Sequence, residues 1–251
     1  MSKLEKVFDT PNKKAFIGFL TAGDPDADST VQFILEMDKA GAELIEIGIP
    51  FSDPTAEGVV IQEANIRSLG NGMTTDGVFE IVKRVREQSE IPLAFMTYVN
   101  PVFHYGYEKF FTKCEELGIS AIIIPDVPYE EKAEVEAPAS MIAPTSESRI
   151  RQIASEAEGF IYVVSSMGVT GVRSEIKTNL PAIVESIRTV TDVPCAIGFG
   201  ISTPEQAKAM ASISDGAIVG SAIVKIIAKY GKDAAPYIGE YVKSMKEAVA
   251  E

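Results

Sequence analysis

Residues 195–221, CAIGFGISTPEQAKAMASISDGAIVGS, decide the fold. The run Cys195 to Phe199 is short, apolar and bounded by glycine, as expected of a strand buried on both faces. Ser202, Thr203 and Pro204 then mark a helix start, because a hydroxyl can cap free N–H groups and proline suits the first turn. A second strand, Gly216 to Val219, follows, and Gly220-Ser221 opens the next helix. Strand, helix and strand in this order form the repeating unit of a parallel sheet covered by helices.

The same unit repeats outward from this stretch. Further strands are expected at Phe16 to Thr21, Leu44 to Ile49, Leu93 to Tyr98, Ala121 to Ile124, Ser140 to Ala143 and Phe160 to Val164. Between them, spacings such as Val78, Ile81, Val82 and Val85 put one apolar stripe on a helix, and Ala234 to Ala250 reads as a closing helix. Between Asp126 and Arg151 a short acidic helix and Pro138 precede the Ser140 strand. About eight such repeats in 251 residues give the usual size of a single TIM (β/α)8 barrel. No Ser- or Gly-rich linker divides the chain, so one domain over 1–251 is expected. A doubly wound open sheet shares the local pattern and differs only in closure.

The 23 Lys and Arg against 36 Asp and Glu leave a formal charge of −13 at pH 7. Such a surface repels phosphate backbones and anionic headgroups, so neither nucleic acid nor membrane is an expected partner. Hydrophobic residues, at 46%, supply enough apolar side chains for a large core and exclude a disordered chain. Cys114 and Cys195 lie in apolar stretches with no second Cys or His at ligand spacing, so they read as buried free thiols, and no metal is expected. The start MSKLEKVFDTPNKK lacks a signal-peptide apolar run, and no stretch reaches the ~20 apolar residues of a membrane helix. A cytoplasmic protein is expected.

In a parallel barrel, reactive groups project from the C-terminal ends of the strands. Glu46, in Leu44-Ile45-Glu46-Ile47-Gly48-Ile49-Pro50, is a carboxylate inside an apolar strand. Burial there raises its pKa toward the range of a general acid or base, unless a Lys or Arg pairs with it. The next loop, Phe51 to Gly58, carries Asp53 and Glu57, so two carboxyl groups can divide acid and base work. Gly168-Val169-Thr170-Gly171, Gly198-Phe199-Gly200 and Gly220-Ser221 follow three late strands. Glycines let main-chain N–H groups approach an anion, and a helix N-terminus favours negative charge, so the set reads as a phosphate site. Arg173 is the one cation in these loops. Thr21, Asp24, Tyr98, Asn100, Asp126 and Tyr162 complete an aromatic, partly polar group at strand ends. His104, in Phe103-His104-Tyr105-Gly106, is read as a loop residue with no catalytic role. Unaided, these residues indicate an enzyme of phosphorylated metabolites that uses carboxylate chemistry.

The string Glu46-Ile47-Gly48-Ile49-Pro50-Phe51-Ser52-Asp53-Pro54, with Ala56, Gly58 and Ile61-Gln62 after it, resembles the signature of tryptophan synthase α chains. Thr21-Ala22-Gly23-Asp24-Pro25, Met96-Thr97-Tyr98, Asn100-Pro101, Pro125-Asp126-Val127-Pro128 and the three glycine motifs resemble family motifs in the family's order. The resemblance implies a TIM barrel that cleaves indole-3-glycerol phosphate to indole and glyceraldehyde 3-phosphate. It implies no cofactor in this chain and a β-chain partner that carries pyridoxal phosphate, in an α2β2 heterotetramer. Position by position it implies Glu46 as the acid–base residue and Glu57 as the carboxylate at the indole nitrogen. Phe19, Thr21, Met96, Tyr98 and Tyr162 match the substrate pocket, and Gly171, Gly200, Gly220 and Ser221 match the phosphate binders. Two departures stand out. Ala56-Glu57-Gly58-Val59 replaces the family's Ala-Asp-Gly-Pro, and the stretch from Tyr129 to Ile150 is shorter than usual. An active α chain, a subunit attenuated by Glu57 that mainly activates the β chain, and a stand-alone lyase are the three roles compatible with this pattern.

Overall fold

The computed structural model describes residues 3–9, 14–131, 140–142, 147–164, 179–198 and 200–250. Eight parallel strands run in the order β4-β3-β2-β1-β8-β7-β6-β5. They are β1 Ala15–Thr21, β2 Leu44–Gly48, β3 Leu93–Met96, β4 Ala121–Ile123, β5 Ser140–Ile142, β6 Ile161–Val164, β7 Cys195–Gly198 and β8 Gly216–Val219. Apart from β4 and β5, each strand lies beside its neighbours in sequence, and the first pairs with the last, Ile17 opposite Ile218. That circular order is the TIM barrel's and excludes the doubly wound sheet. Among the described residues the ladders run from β4 around to β5 and none joins those two strands.

Strand alternation sorts side chains into two apolar layers. Phe16, Leu20, Ile45, Ile47 and Phe95 face outward and pack with Phe33, Ile34 and Val82 of the covering helices. Ile17, Leu44, Ala94, Ala121, Ile123, Ala196 and Ile218 face inward and fill the barrel. Leu4 and Val7 of the helix Lys3–Phe8 join this inner layer, and the Phe8 ring lies 5.8 Å from Phe160.

The helix Pro204–Ile213 starts as its sequence requires. Thr203 is its N-cap, Gln206 completes a reciprocal capping box, and Pro204 occupies the first turn. Three expectations need correction. β3 ends at Met96, so Tyr98 is not a strand residue; it is the N-cap of a helix, Val99–Tyr105. Phe103 to Tyr105 accordingly lie in that helix rather than in a loop, and Gly106, at φ +92°, ends it. The carboxylate that caps this helix is remote in sequence: Asp126, beyond β4, accepts the Val99 N–H at 3.0 Å. The closing helix spans Ala235–Ala250, with Ala234 ending a preceding 3-10 turn. Of the expected Ser140 to Ala143 strand, residue 143 lies outside the described residues, as do Pro138, Gly168 to Gly171, Arg173 and Phe199.

Candidate active site

The inner face of β2 reads Leu44, Glu46, Gly48. Leu44 belongs to the barrel filling, so the next inward position, one layer nearer the C-terminal mouth, is Glu46. Its Cα partners are Phe19 on β1 and Ala94 on β3. The side chain is fully buried, and among the described residues neither carboxyl oxygen has a hydrogen-bond partner. No Lys or Arg reaches it, which removes the ion-pair alternative within the described residues. Loss of hydration pushes its pKa from 4.5 up to about 8. A neutral carboxyl with a free O–H can deliver a proton at pH 7, and once ionised it is a competent base.

Glu46 opens on a cavity at the mouth of the barrel. Phe19, Met96 and Tyr162 form its wall beside Glu46 and Glu57. Gly200, Gly220 and Ser221 line it as well. Burial, then the charge of Glu46, hold the Tyr162 hydroxyl well above the ordinary phenol value, so it remains protonated.

Three inward or mouth glycines make room for these rings. A Cβ on Gly198 would lie 2.4 Å from the Tyr162 hydroxyl oxygen, and one on Gly48 would lie 2.7 Å from Phe19 Cζ. A Cβ on Gly220 would meet the Phe19 ring at 3.1 to 3.3 Å. Gly200 is glycine for a different reason: its φ of +82° is a left-handed conformation that costs a side-chain-bearing residue about 1–2 kcal/mol. Gly220 is also the N-cap of Ser221–Tyr230 and offers no side chain to the helix's first N–H groups. Those groups therefore point from a helix N-terminus toward the cavity rim that Gly220 and Ser221 form, an arrangement suited to an anion.

Glu57 is buried although it lies in a loop, because the loop is fastened on both sides of it. Its carbonyl accepts a hydrogen bond from the Gln62 side-chain amide at 2.8 Å, and the preceding Ala56 N–H donates to the Tyr98 hydroxyl at 3.0 Å. The same hydroxyl donates to a Glu57 carboxyl oxygen. Burial raises the Glu57 pKa, the Tyr98 hydrogen bond opposes the rise, and the charge of Asp126 adds to it.

The remaining expected residues fall elsewhere. Asp53 is exposed and accepts from Ser52 Oγ. Asp24 is buried and takes a two-pronged hydrogen bond from Arg67, Nε at 2.8 Å and Nη2 at 2.7 Å. Thr21 is fully buried, its hydroxyl without a partner among the described residues, and Tyr98 stands behind Glu57; neither lines the cavity. Asn100 is exposed at the start of the Val99–Tyr105 helix, and His104 is exposed further along it. Sequence reasoning missed Ile61, Ile201 and Ile218, which line the cavity. Only Ile218 carried a signal, since it stands near the end of β8, two positions before Gly220. Among the described residues no three His, Cys, Asp or Glu side chains converge where a metal ion could sit. No helix among them is long and apolar enough to cross a membrane.

Comparison with known proteins agrees with this geometry. The family described as tryptophan synthase alpha chain matches residues 6–250. A tryptophan synthase alpha chain of Lacticaseibacillus casei is 47% identical, with 99% of this chain and 96% of that one aligned. The crystal structure of the alpha chain from Legionella pneumophila superposes with a TM-score of 0.88 at 32% identity, covering 99% of this chain and 97% of that one. A structure of the tryptophan synthase α2β2 complex from Pyrococcus furiosus supplies a chain with a TM-score of 0.84 at 34% identity, covering 93% and 98%. On its sequence and on its barrel alike, this chain belongs to the tryptophan synthase alpha chain family.

Proposed function

We propose that this chain, acting as one barrel domain, cleaves indole-3-glycerol phosphate to indole and glyceraldehyde 3-phosphate as the α subunit of tryptophan synthase. The observation that carries the reading is the buried carboxyl of Glu46, without a hydrogen-bond partner among the described residues, on the same cavity as a rim of main-chain donors at Gly200, Gly220 and Ser221. The phosphate end of the substrate docks on those N–H groups and the Ser221 hydroxyl. Gly171, outside the described residues, completes this binding set by resemblance. Phe19, Met96 and Tyr162 hold the indole ring, with Thr21 and Tyr98 behind them.

Glu46 gives its proton to the ring carbon that bears the glycerol chain. The ring nitrogen becomes positive, and the Glu57 carboxylate stabilises that charge. Glu46, now a carboxylate, takes the proton of the adjacent glycerol hydroxyl. The oxygen's electron pair forms the aldehyde C=O, the carbon–carbon bond breaks, and its electrons return to the ring and neutralise the nitrogen. Indole and the aldehyde leave, and Glu46 is again protonated. No cofactor of this chain enters these steps.

The partner in this reading is a cytoplasmic β chain that binds pyridoxal phosphate and receives the indole, in an α2β2 assembly. The α2β2 complex of the Pyrococcus furiosus neighbour supports that assignment. The test is indole release by the purified chain, alone and with a β chain. Glu46→Gln should nearly abolish release while leaving affinity for a glycerol phosphate within about threefold, since the anion sits on main-chain groups. Retained turnover in that variant removes Glu46 from the reaction, and equal rates with and without a β chain indicate a stand-alone lyase.

A further inference from the structure

Glu57 differs from the other cavity residues in how it is held. Its side chain is one methylene longer than the aspartate of the resembling motif, and a longer acid has more rotamers through which to miss a target. Tyr98 removes that freedom. The phenol ring is buried and packs on Phe51, with ring centres 5.4 Å apart. Its oxygen accepts the Ala56 N–H at 3.0 Å, which leaves the hydroxyl proton directed at the Glu57 carboxyl. Burial and the adjacent Glu57 keep that hydroxyl protonated, so it remains a donor throughout the working pH range.

We infer that Tyr98 is a positioning residue: it is a fixed post, standing on the loop's own backbone, that ties down the carboxyl of Glu57 at the depth where it lines the cavity. The extra methylene of Glu57 spans the distance to this post, so the glutamate and the tyrosine work as a pair. The inference rests on the proposed role of Glu57 at the ring nitrogen. It also has an electrostatic side. Asp126 faces Glu57 from beyond β4 and disfavours its charge, Glu46 faces it across the cavity in neutral form, and among the described residues Tyr98 is the side chain that favours the ionised state.

The test compares Tyr98→Phe, Glu57→Asp, the double variant and Glu57→Gln in the chain assembled with a β chain, and follows the Glu57 carboxyl by NMR titration of the free chain. Tyr98→Phe keeps the ring on Phe51, and its thermal unfolding is recorded alongside. The expected result is a drop in kcat of about tenfold with KM moved by less than about threefold, the pattern of a lost transition-state contact. The Glu57 titration and the acidic limb of the kcat profile should both move to higher pH, which a merely structural tyrosine would not cause. Glu57→Asp should lose a similar factor because the shorter acid falls short of Tyr98, and adding Tyr98→Phe to it should cost little more. Equal factors for Tyr98→Phe in both backgrounds, or an unmoved titration, overturn the pairing. A rate gain in Glu57→Asp does so as well, and favours the attenuated-subunit reading. Full turnover in Glu57→Gln overturns the role of Glu57 itself, a separate failure.

Discussion

Replacing Glu46 by Gln tests the burial of the carboxyl through stability, without using the reaction at all. An acid whose folded pKa is raised binds more protons folded than unfolded between the two values, so stability falls as pH rises through that window. For Glu46 the window runs from 4.5 to about 8. At ~1.4 kcal/mol per pKa unit, holding the proton in the folded state costs about 1 kcal/mol at pH 5 and about 4 kcal/mol at pH 8. Gln is neutral at both pH values and carries no such linkage. Its buried amide has hydrogen bonds of its own to satisfy, but that cost is the same at both pH values and cancels in the comparison. Relative to the unsubstituted chain, Glu46→Gln should therefore gain about 3 kcal/mol between pH 5 and pH 8. Urea unfolding at the two pH values measures it, with m-values checked for constancy. If the stability gap between the two chains is the same at pH 5 and pH 8, Glu46 is hydrated or paired in the folded state, and the reasoning for a neutral proton donor fails.

On the proposed function, the same buried acid should set the alkaline side of the activity. In the proposed mechanism the protonated form begins the reaction, so kcat/KM for indole release should fall about tenfold per pH unit above the Glu46 value near 8, and a flat profile to pH 9.5 would contradict it. Gly198→Ala should destabilise the chain by about 1–3 kcal/mol, because its Cβ enters the Tyr162 ring; pairing it with Tyr162→Leu should restore much of the loss in urea unfolding. Arg67→Met leaves the Asp24 carboxylate buried without its partner and should cost about 3 kcal/mol in thermal unfolding. Adding Asp24→Asn should recover part of it, and simple additivity of the two changes would mean the pair is not coupled.

What the sequence revealed depended on whether a residue broke its local pattern. Glu46 was legible because an acid in the middle of Leu44 to Ile49 is an anomaly that a strand buried on both faces cannot hide. The strand order was legible because each βα unit is short and the connections are local. Ile61 and Ile201 were not legible, since an isoleucine lining a cavity has the same sequence signature as one filling a core. Tyr98 was misplaced for a geometrical reason. Two positions after Met96 it should share that residue's inward face, but the two-residue period holds only while the chain is a strand, and β3 ends at Met96. Beyond it the backbone turns into a helix and carries the tyrosine behind the Phe51 to Gly58 loop. Asp24 with Arg67, and Asp126 with Val99, were invisible because 43 and 27 residues separate the partners.

The glycines show how one residue type can serve more than one purpose. Gly200 and Gly220, expected as anion binders, lie on the cavity rim, and Gly200 has a left-handed backbone. Gly48 and Gly198, with Gly220 again, serve a steric end: each vacates the space that a Phe19 or Tyr162 ring fills. These two purposes meet at Gly220. Its missing Cβ lets the Phe19 ring lie against the strand end, and the same absence leaves the first N–H groups of the following helix without a side-chain cap. A side chain there would push the ring into the cavity and crowd the helix N-terminus in one stroke. The apolar wall and the anion rim are therefore not independent inventions of this barrel mouth. At Gly220 both draw on the same omitted carbon, so on the proposed function a substitution at 220 should weaken ring and phosphate recognition together, whereas one at 198 should affect the ring alone.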